Sequence, residues 1–295
     1  MKTSLVVMMV ALLFSCSDYQ QLEGFTDMGN AGTVNRNLQT HAGVDSLMDR
    51  ARWGDGQAYL QLADCYKDGA GVQKDFLGMM CMAMQARAYG AIKKENDYFL
   101  RLSDENNFKR YFNLINKSSR ELREGKDTIM AQLAEMDDPD ALALYGIVSI
   151  EGGDTAAGFE TIRKAADNGS NLAAILNTFS SRKGAIHPDR YKLELVAERI
   201  PVAYKILGRL CLEPDENGNI DEGLAASYYL KAEEHALLSR REARWLVGYY
   251  REGGDIRLDE EDVRRLEILA CFPGEEKDVI VADTVDLDSV MVDGQ

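Results

Sequence analysis

The stretch 57–90 most constrains what this chain can fold into. Its apolar residues recur at intervals of three and four, as at Leu62 and Tyr66, which places them on one helix face. Gly69 and Gly71 then interrupt the pattern, where a chain reversal needs a residue with positive φ. A second apolar run follows. The stretch therefore predicts two short helices joined by a glycine turn, a hairpin that cannot bury its apolar face alone.

More degenerate copies of this pattern follow along the chain. They cover 141–169, 203–232 and 246–259. We expect their glycines and alanines to set turns and to let helices pack closely. Across the copies, the predicted structural positions are Ala58, Leu62, Tyr66, Gly69, Gly71, Ala86, Gly90, Gly146, Gly152, Gly169, Gly208 and Gly253. The repetition predicts an all-α fold of stacked helix pairs.

Two segments between the copies carry a weaker signal. The segment 171–200, with helical runs on either side of Gly184 and Pro188, is predicted to be a degenerate copy. The segment 92–137 is rich in helix formers but has no repeat signature. Within it, the Glu- and Lys-rich run 118–136 predicts one long amphipathic helix.

At its first hairpin the chain resembles the Sel1-like repeat family, a relative of the tetratricopeptide repeats. The matching residues are Ala58, Leu62, Tyr66, Gly69, Gly71, Val72, Asp75, Ala86 and Gly90. Ala63 replaces the glycine that usually follows the leucine. The resemblance implies an α-solenoid of stacked antiparallel helix pairs, a right-handed superhelix whose first helices line a concave groove. It also implies a scaffold or adaptor that binds a protein or peptide.

The amino terminus, MKTSLVVMMVALLFSC, predicts export followed by lipid anchoring. An early lysine precedes an apolar run of about ten residues, too short to span a bilayer but suited to a signal sequence. The sequence Leu13-Phe14-Ser15-Cys16 resembles the bacterial lipobox, which implies cleavage before Cys16 and its diacylation. An ordinary cleaved signal peptide and an uncleaved anchor are the alternatives.

The predicted organisation has four parts. A lipoprotein signal peptide covers 1–15, and a flexible tether rich in small and polar residues covers 16–39. The Sel1-like repeat domain covers 40–271. The acidic tail 272–295 alternates valine with aspartate, so it is either disordered or an extended segment that lies along the groove. The predicted location is the bacterial cell envelope, with the lipid as the only membrane attachment.

Composition and motifs argue against several function classes. The chain has 49 acidic and 34 basic residues, a formal net charge of −15, which repels nucleic acid. Its three histidines lack metal-ligand spacing, and His235, beside two glutamates, is interpreted as a surface group. There is no CxxC pair, P-loop, GxGxxG or GxSxG motif. The sequence predicts no enzyme activity, metal, cofactor or nucleic-acid partner.

Four cysteines remain besides Cys16, namely Cys65, Cys81, Cys211 and Cys271. Free cysteine is among the most buried residue types, which favours small core residues. Some secreted Sel1-like proteins join the two helices of a hairpin by a disulfide. That resemblance leaves a Cys65–Cys81 bridge as the alternative.

An arginine stripe in the last copy is the candidate binding surface. Arg240, Arg244 and Arg251 recur along one helix, beside Trp245 and Tyr249. Arginine and aromatic groups together suit carboxylates, extended peptides or sugar rings. Alternatively, the arginines pair with nearby glutamates while the tryptophan packs in the core. A binding component for peptidoglycan or glycan fragments is the alternative function.

Overall fold

A computed structural model describes residues 41–92, 95–103, 106–182, 185–214 and 218–271. The helices in these ranges are α1 (His41–Arg52), α2 (Gly56–Asp68), α3 (Phe76–Ala88), α4 (Glu95–Leu100), α5 (Asn107–Ile115), α6 (Ser119–Glu124), α7 (Lys126–Ala134), α8 (Pro139–Glu151), α9 (Thr155–Asp167), α10 (Asn171–Leu176), α11 (Arg190–Ala197), α12 (Val202–Leu212), α13 (Glu222–Glu234), α14 (Arg240–Arg251) and α15 (Glu260–Ala270). Two short strands, β1 (Phe179–Arg182) and β2 (Ala185–Pro188), lie between α10 and α11.

Several sequence predictions concern residues outside the described ranges. The signal peptide 1–15, the tether 16–39 with Cys16, and the tail 272–295 all lie there. Within the described residues, no helix combines the length and apolar character that a membrane span requires.

The predicted first hairpin is present as α2 and α3. The Asp55 carboxylate caps α2 by accepting hydrogen bonds from first-turn N–H groups. At the other end, Gly69 has φ 72° and donates its N–H to the carbonyl of Cys65, which ends the helix. Asp75 then caps α3 in the same way as Asp55 caps α2. The prediction of two helices joined by a glycine turn is confirmed.

The later copies also form packed helix pairs, α8 with α9, α12 with α13, and α14 with α15. Two glycines inside helices allow close approach. A Cβ on Gly146 would lie 2.6 Å from Ile162 Cγ1, and one on Gly208 would lie 2.6 Å from Tyr229 Cε1. Other predicted glycines follow helices with positive φ, namely Gly69, Gly71, Gly90, Gly169 and Gly253. The two structural roles expected of these glycines are therefore both observed, but Gly152 has φ −74° and the positive φ of that turn falls on Gly153.

Two segments differ from the prediction. The run 118–136 forms two helices, α6 and α7, because Gly125 at their junction departs from helical geometry with ψ 5°. Leu122 and Ile129, on either side of the break, are both buried. The expected copy 171–200 has the predicted helical runs, α10 and α11, but two antiparallel strands lie between them, with Phe179 opposite Pro188. Proline lacks the N–H that a helix interior needs, and at a strand end this loss is tolerated.

Side chains of the first helices contact residues of the last helices. Arg52 on α1 contacts Glu233 on α13 at 2.9 Å, and Arg265 on α15 contacts the same carboxylate at 2.7 Å. Gln85 Nε2 on α3 donates to the carbonyl of Leu238 at 3.0 Å. In a linear array each unit touches only its neighbours. A plain linear stack therefore does not account for these contacts between the first helices and the last ones.

Candidate functional site

The arginine stripe of α14 does not lie on one common face. Arg240 is buried, with its Nε donating to the carbonyl of Ala88 at 2.8 Å and its guanidinium 4.7 Å from the Tyr89 ring centre. Arg244 and Arg251 are exposed. Arg240 therefore joins the last units to the first hairpin, whereas the other two arginines face solvent.

The exposed members of the stripe bond to the neighbouring helix. Arg244 Nη2 donates to the carbonyl of Ala270 at 3.1 Å, and Arg251 forms an ion pair with Glu267 at 2.8 Å. The rings of Trp245 and Tyr249 stack on each other at 5.3 Å, and both are half-buried. These contacts give the residues structural roles, and their use by a partner stays a prediction.

A cavity of about 130 Å³ is the second candidate site. It lies where α1, α2 and α3 meet α10, the α11–α12 connection and the α13–α14 connection. Its apolar walls include Met48, Tyr66, Leu77, Met82, Ile200 and Leu237. Its polar groups are Asp75, Asn171, Arg199 and His235. Apolar walls with a few convergent polar groups are typical of ligand-binding sites.

The Asp75 carboxylate is closely held within this cavity. Its Oδ1 accepts the N–H of Leu77 at 3.1 Å, and its Oδ2 accepts the N–H of Gly78 at 3.0 Å and the Asn171 amide at 3.2 Å. Burial raises the pKa of Asp75, and these three hydrogen bonds oppose the rise. Among the described residues, no ion pair forms with Asp75. Within the described residues, hydrogen bonds rather than an ion pair therefore stabilise its ionised form.

A second carboxylate, Asp140, lies beside this end of the cavity. Ser170 Oγ donates a hydrogen bond to it, and the N–H of Phe76 donates another. Burial raises the pKa of Asp140 to about 7, and the charge of Asp75 adds to the rise. The start of α3 therefore lies between two carboxylates that repel each other.

Three further titratable groups of the cavity, His235, Tyr66 and Cys81, remain neutral near pH 7. Burial lowers the pKa of His235, against the raising effect of Glu234 and Glu198. Burial raises the pKa of Tyr66 to about 12 and that of Cys81 to about 12. A protonated thiol is a poor nucleophile. This set of groups can donate and accept hydrogen bonds, which is the chemistry of binding.

Four cysteines lie in the described part of the chain. Cys65, Cys81 and Cys211 are buried free thiols, and Cys271 is half-buried and free. The interpretation as core residues is confirmed for the first three, and no bridge joins Cys65 to Cys81. Within the same ranges, no cluster of three His, Cys, Asp or Glu side chains could hold a metal ion.

Sequence reasoning had named parts of the cavity for other reasons. Tyr66 and Asp75 belonged to the repeat pattern, and His235 was interpreted as a surface group. The structure instead places His235, half-buried, in the cavity lining. Asn171 and Arg199 carried no signal at all, because only tertiary contacts bring them to the first hairpin.

Comparisons with known proteins add no relative. No protein-family model, no curated protein and no solved structure matches this chain. The likeness to Sel1-like repeats therefore depends on the residues of the first hairpin and their later copies.

Proposed function

We propose that this chain is a lipid-anchored protein of a bacterial cell envelope that binds a protein or peptide and acts as a scaffold or adaptor. In this proposal the lipid on Cys16 holds the protein at the membrane, and the helical domain supplies the binding surface. The finer proposal for the fold is a Sel1-like solenoid of helix pairs. Its support is the hairpin α2–α3 and the glycines, Gly146 and Gly208, that let the helices of two later pairs pack closely.

The cavity is the observation that carries the binding proposal. Pockets for drug-sized ligands usually occupy roughly 300–1,000 Å³. A space of about 130 Å³ is smaller and suits a single large side chain. Polar groups beside it can hydrogen-bond the main chain of a bound segment. A polypeptide that inserts one side chain therefore fits the cavity better than a free cofactor does.

A site-directed crosslink tests this proposal. The full chain in its own membranes is made with His235→p-benzoylphenylalanine, which places a photoreactive group in the cavity. The matched control is Glu160→p-benzoylphenylalanine, at an exposed position of α9 that does not line the cavity. We expect a discrete polypeptide adduct after irradiation from position 235 and none from position 160. Absence of an adduct at 235, or equal adducts at both positions, contradicts peptide binding in the cavity.

A further inference from the structure

Helix α3 forms one side of the cavity through Leu77, Gly78, Cys81 and Met82. Asp75 caps the start of the helix and is bonded there by Asn171. Near the other end, Gln85 bonds the carbonyl of Leu238, three residues beyond His235. An α-helix rises about 1.5 Å per residue, so Asp75 and Met82 are roughly 10 Å apart along the axis. The cavity therefore extends from a carboxylate end towards a histidine end.

The histidine end also holds Arg199. The charge of Glu198, its neighbour in the chain, acts on His235, which places the α11–α12 connection beside the histidine. Lys205 on α12 donates to the carbonyl of Leu237 at 3.4 Å, which confirms that these segments are adjacent. A guanidinium and a neutral imidazole at this end can both donate hydrogen bonds to carbonyl or carboxylate oxygens.

The walls between the two ends are apolar. Met48, Met82 and Leu237 face the space, and Gly78 contributes backbone without a side chain. A long aliphatic stem buries well in such a space. Methionine side chains are flexible and polarisable, so they adapt to the stem they cover.

The carboxylate end favours an ammonium group over a guanidinium. The Asp75 oxygens already accept three N–H bonds, which leaves about one acceptor site and prevents a two-pronged arginine contact. An ammonium is a compact donor that needs only that one site on the carboxylate. Tyr66 also lines the cavity, and its ring lies beside Gly78. A bound cation would also supply the ion pair that Asp75 lacks among the described residues.

We propose that the cavity binds the side chain of a lysine in the partner polypeptide. Its ammonium contacts Asp75, its four-carbon stem lies along α3, and its main-chain carbonyl lies near Arg199 and His235. This inference rests on the proposed peptide-binding function and names the chemistry of the partner. The net charge of −15 favours such a basic partner at longer range.

Defined peptides test the inference. The full chain is titrated with acetyl-Gly-Lys-Gly-amide and with analogues that carry norleucine, Nε-acetyllysine or arginine in place of lysine, while backbone NMR signals of Gly78 and Asn171 are followed. We expect the lysine peptide to bind at least ten times more tightly than each analogue. Norleucine keeps the stem and lacks the charge, so equal affinity for it overturns the proposal. Absence of a saturable shift with the lysine peptide overturns it as well.

A pair of variants assigns the effect to Asp75. Asp75→Asn keeps an oxygen that can cap α3 but removes the charge. The matched control is Asp154→Asn, because Asp154 caps α9 through a side-chain bond to the Ala157 N–H and does not line the cavity. We expect Asp75→Asn to lower affinity for the lysine peptide at least tenfold and to leave norleucine affinity unchanged. Unchanged lysine affinity in Asp75→Asn contradicts the proposal.

The two proposals fail in different ways. If the peptides show no lysine preference while the crosslink at position 235 still forms, the partner is a polypeptide of other chemistry. If the crosslink is also absent, peptide binding itself is contradicted.

Discussion

Protonation of the Asp140 carboxyl group is linked to the stability of the folded chain. Its pKa rises from an ordinary value of 3.8 to about 7, chiefly because the group is buried. Asp75 and Asp138 add negative charge nearby, whereas Ser170 and the N–H of Phe76 stabilise the ionised form. Between these two pKa values the folded chain binds a proton that the unfolded chain releases. Asp140 therefore contributes stability at low pH and loses that contribution as pH rises towards 7.

Asp140→Asn removes this titration. Each pKa unit corresponds to roughly 1.4 kcal/mol, so the contribution of Asp140 changes by on the order of a few kcal/mol across the window. We expect the variant to show a smaller loss of unfolding free energy between about pH 4 and pH 8 than the parent chain. Urea unfolding at several pH values measures the difference. Asp154→Asn serves as the control, and an unaltered pH slope in Asp140→Asn would refute the assignment.

The close packing of α8 against α9 depends on glycine at position 146, where any side chain would meet α9. A Cβ on Gly146 would lie 2.6 Å from Ile162 Cγ1 and 2.8 Å from the carbonyl of Gly158. The second contact is with backbone, which cannot move aside as a flexible side chain can. The two helices therefore approach this closely only because positions 146 and 158 are both glycine.

Gly146→Ala should separate these helices. We expect it to lower the unfolding free energy by about 1–3 kcal/mol, since overpacking outweighs the better helix propensity of alanine. Gly248→Ala is the matched control, because Gly248 also lies inside a helix and a Cβ there meets nothing within 4 Å. That control should be stabilised by roughly 0.5–1 kcal/mol. Chemical denaturation measures the unfolding free energy of both variants. A Gly146→Ala variant that is more stable than the parent chain would refute the packing argument.

At this scale the sequence predicted what local signals determine. Gly69 ends α2 and Asp75 caps the start of α3, so the first hairpin can be predicted from the sequence. The break at Gly125 was missed, since the surrounding Glu- and Lys-rich pattern is that of a continuous helix. The cavity could not be predicted, because Asp75 and Asn171 meet across 96 positions of sequence. Only the folded arrangement of several elements brings such residues together.

For the whole molecule, the decisive question is how the first units meet the last ones. Glu233 is buried and bonded by two arginines, Arg52 from α1 and Arg265 from α15. The carboxylate is therefore the shared partner of helices from both ends of the described chain. In an open array, local unfolding can begin at either terminal unit without the other. A shared buried carboxylate couples the two ends instead.

Glu233→Gln tests this coupling while preserving side-chain size. The variant leaves two arginines without their buried partner, so we expect a loss of about 3 kcal/mol of unfolding free energy. Hydrogen exchange should accelerate in α1 and α15 together, because both lose the same contact. Glu267→Gln, which breaks the exposed pair with Arg251, should change stability by less than about 1 kcal/mol. Faster exchange confined to one of the two helices would show that the ends behave as independent units of an open array.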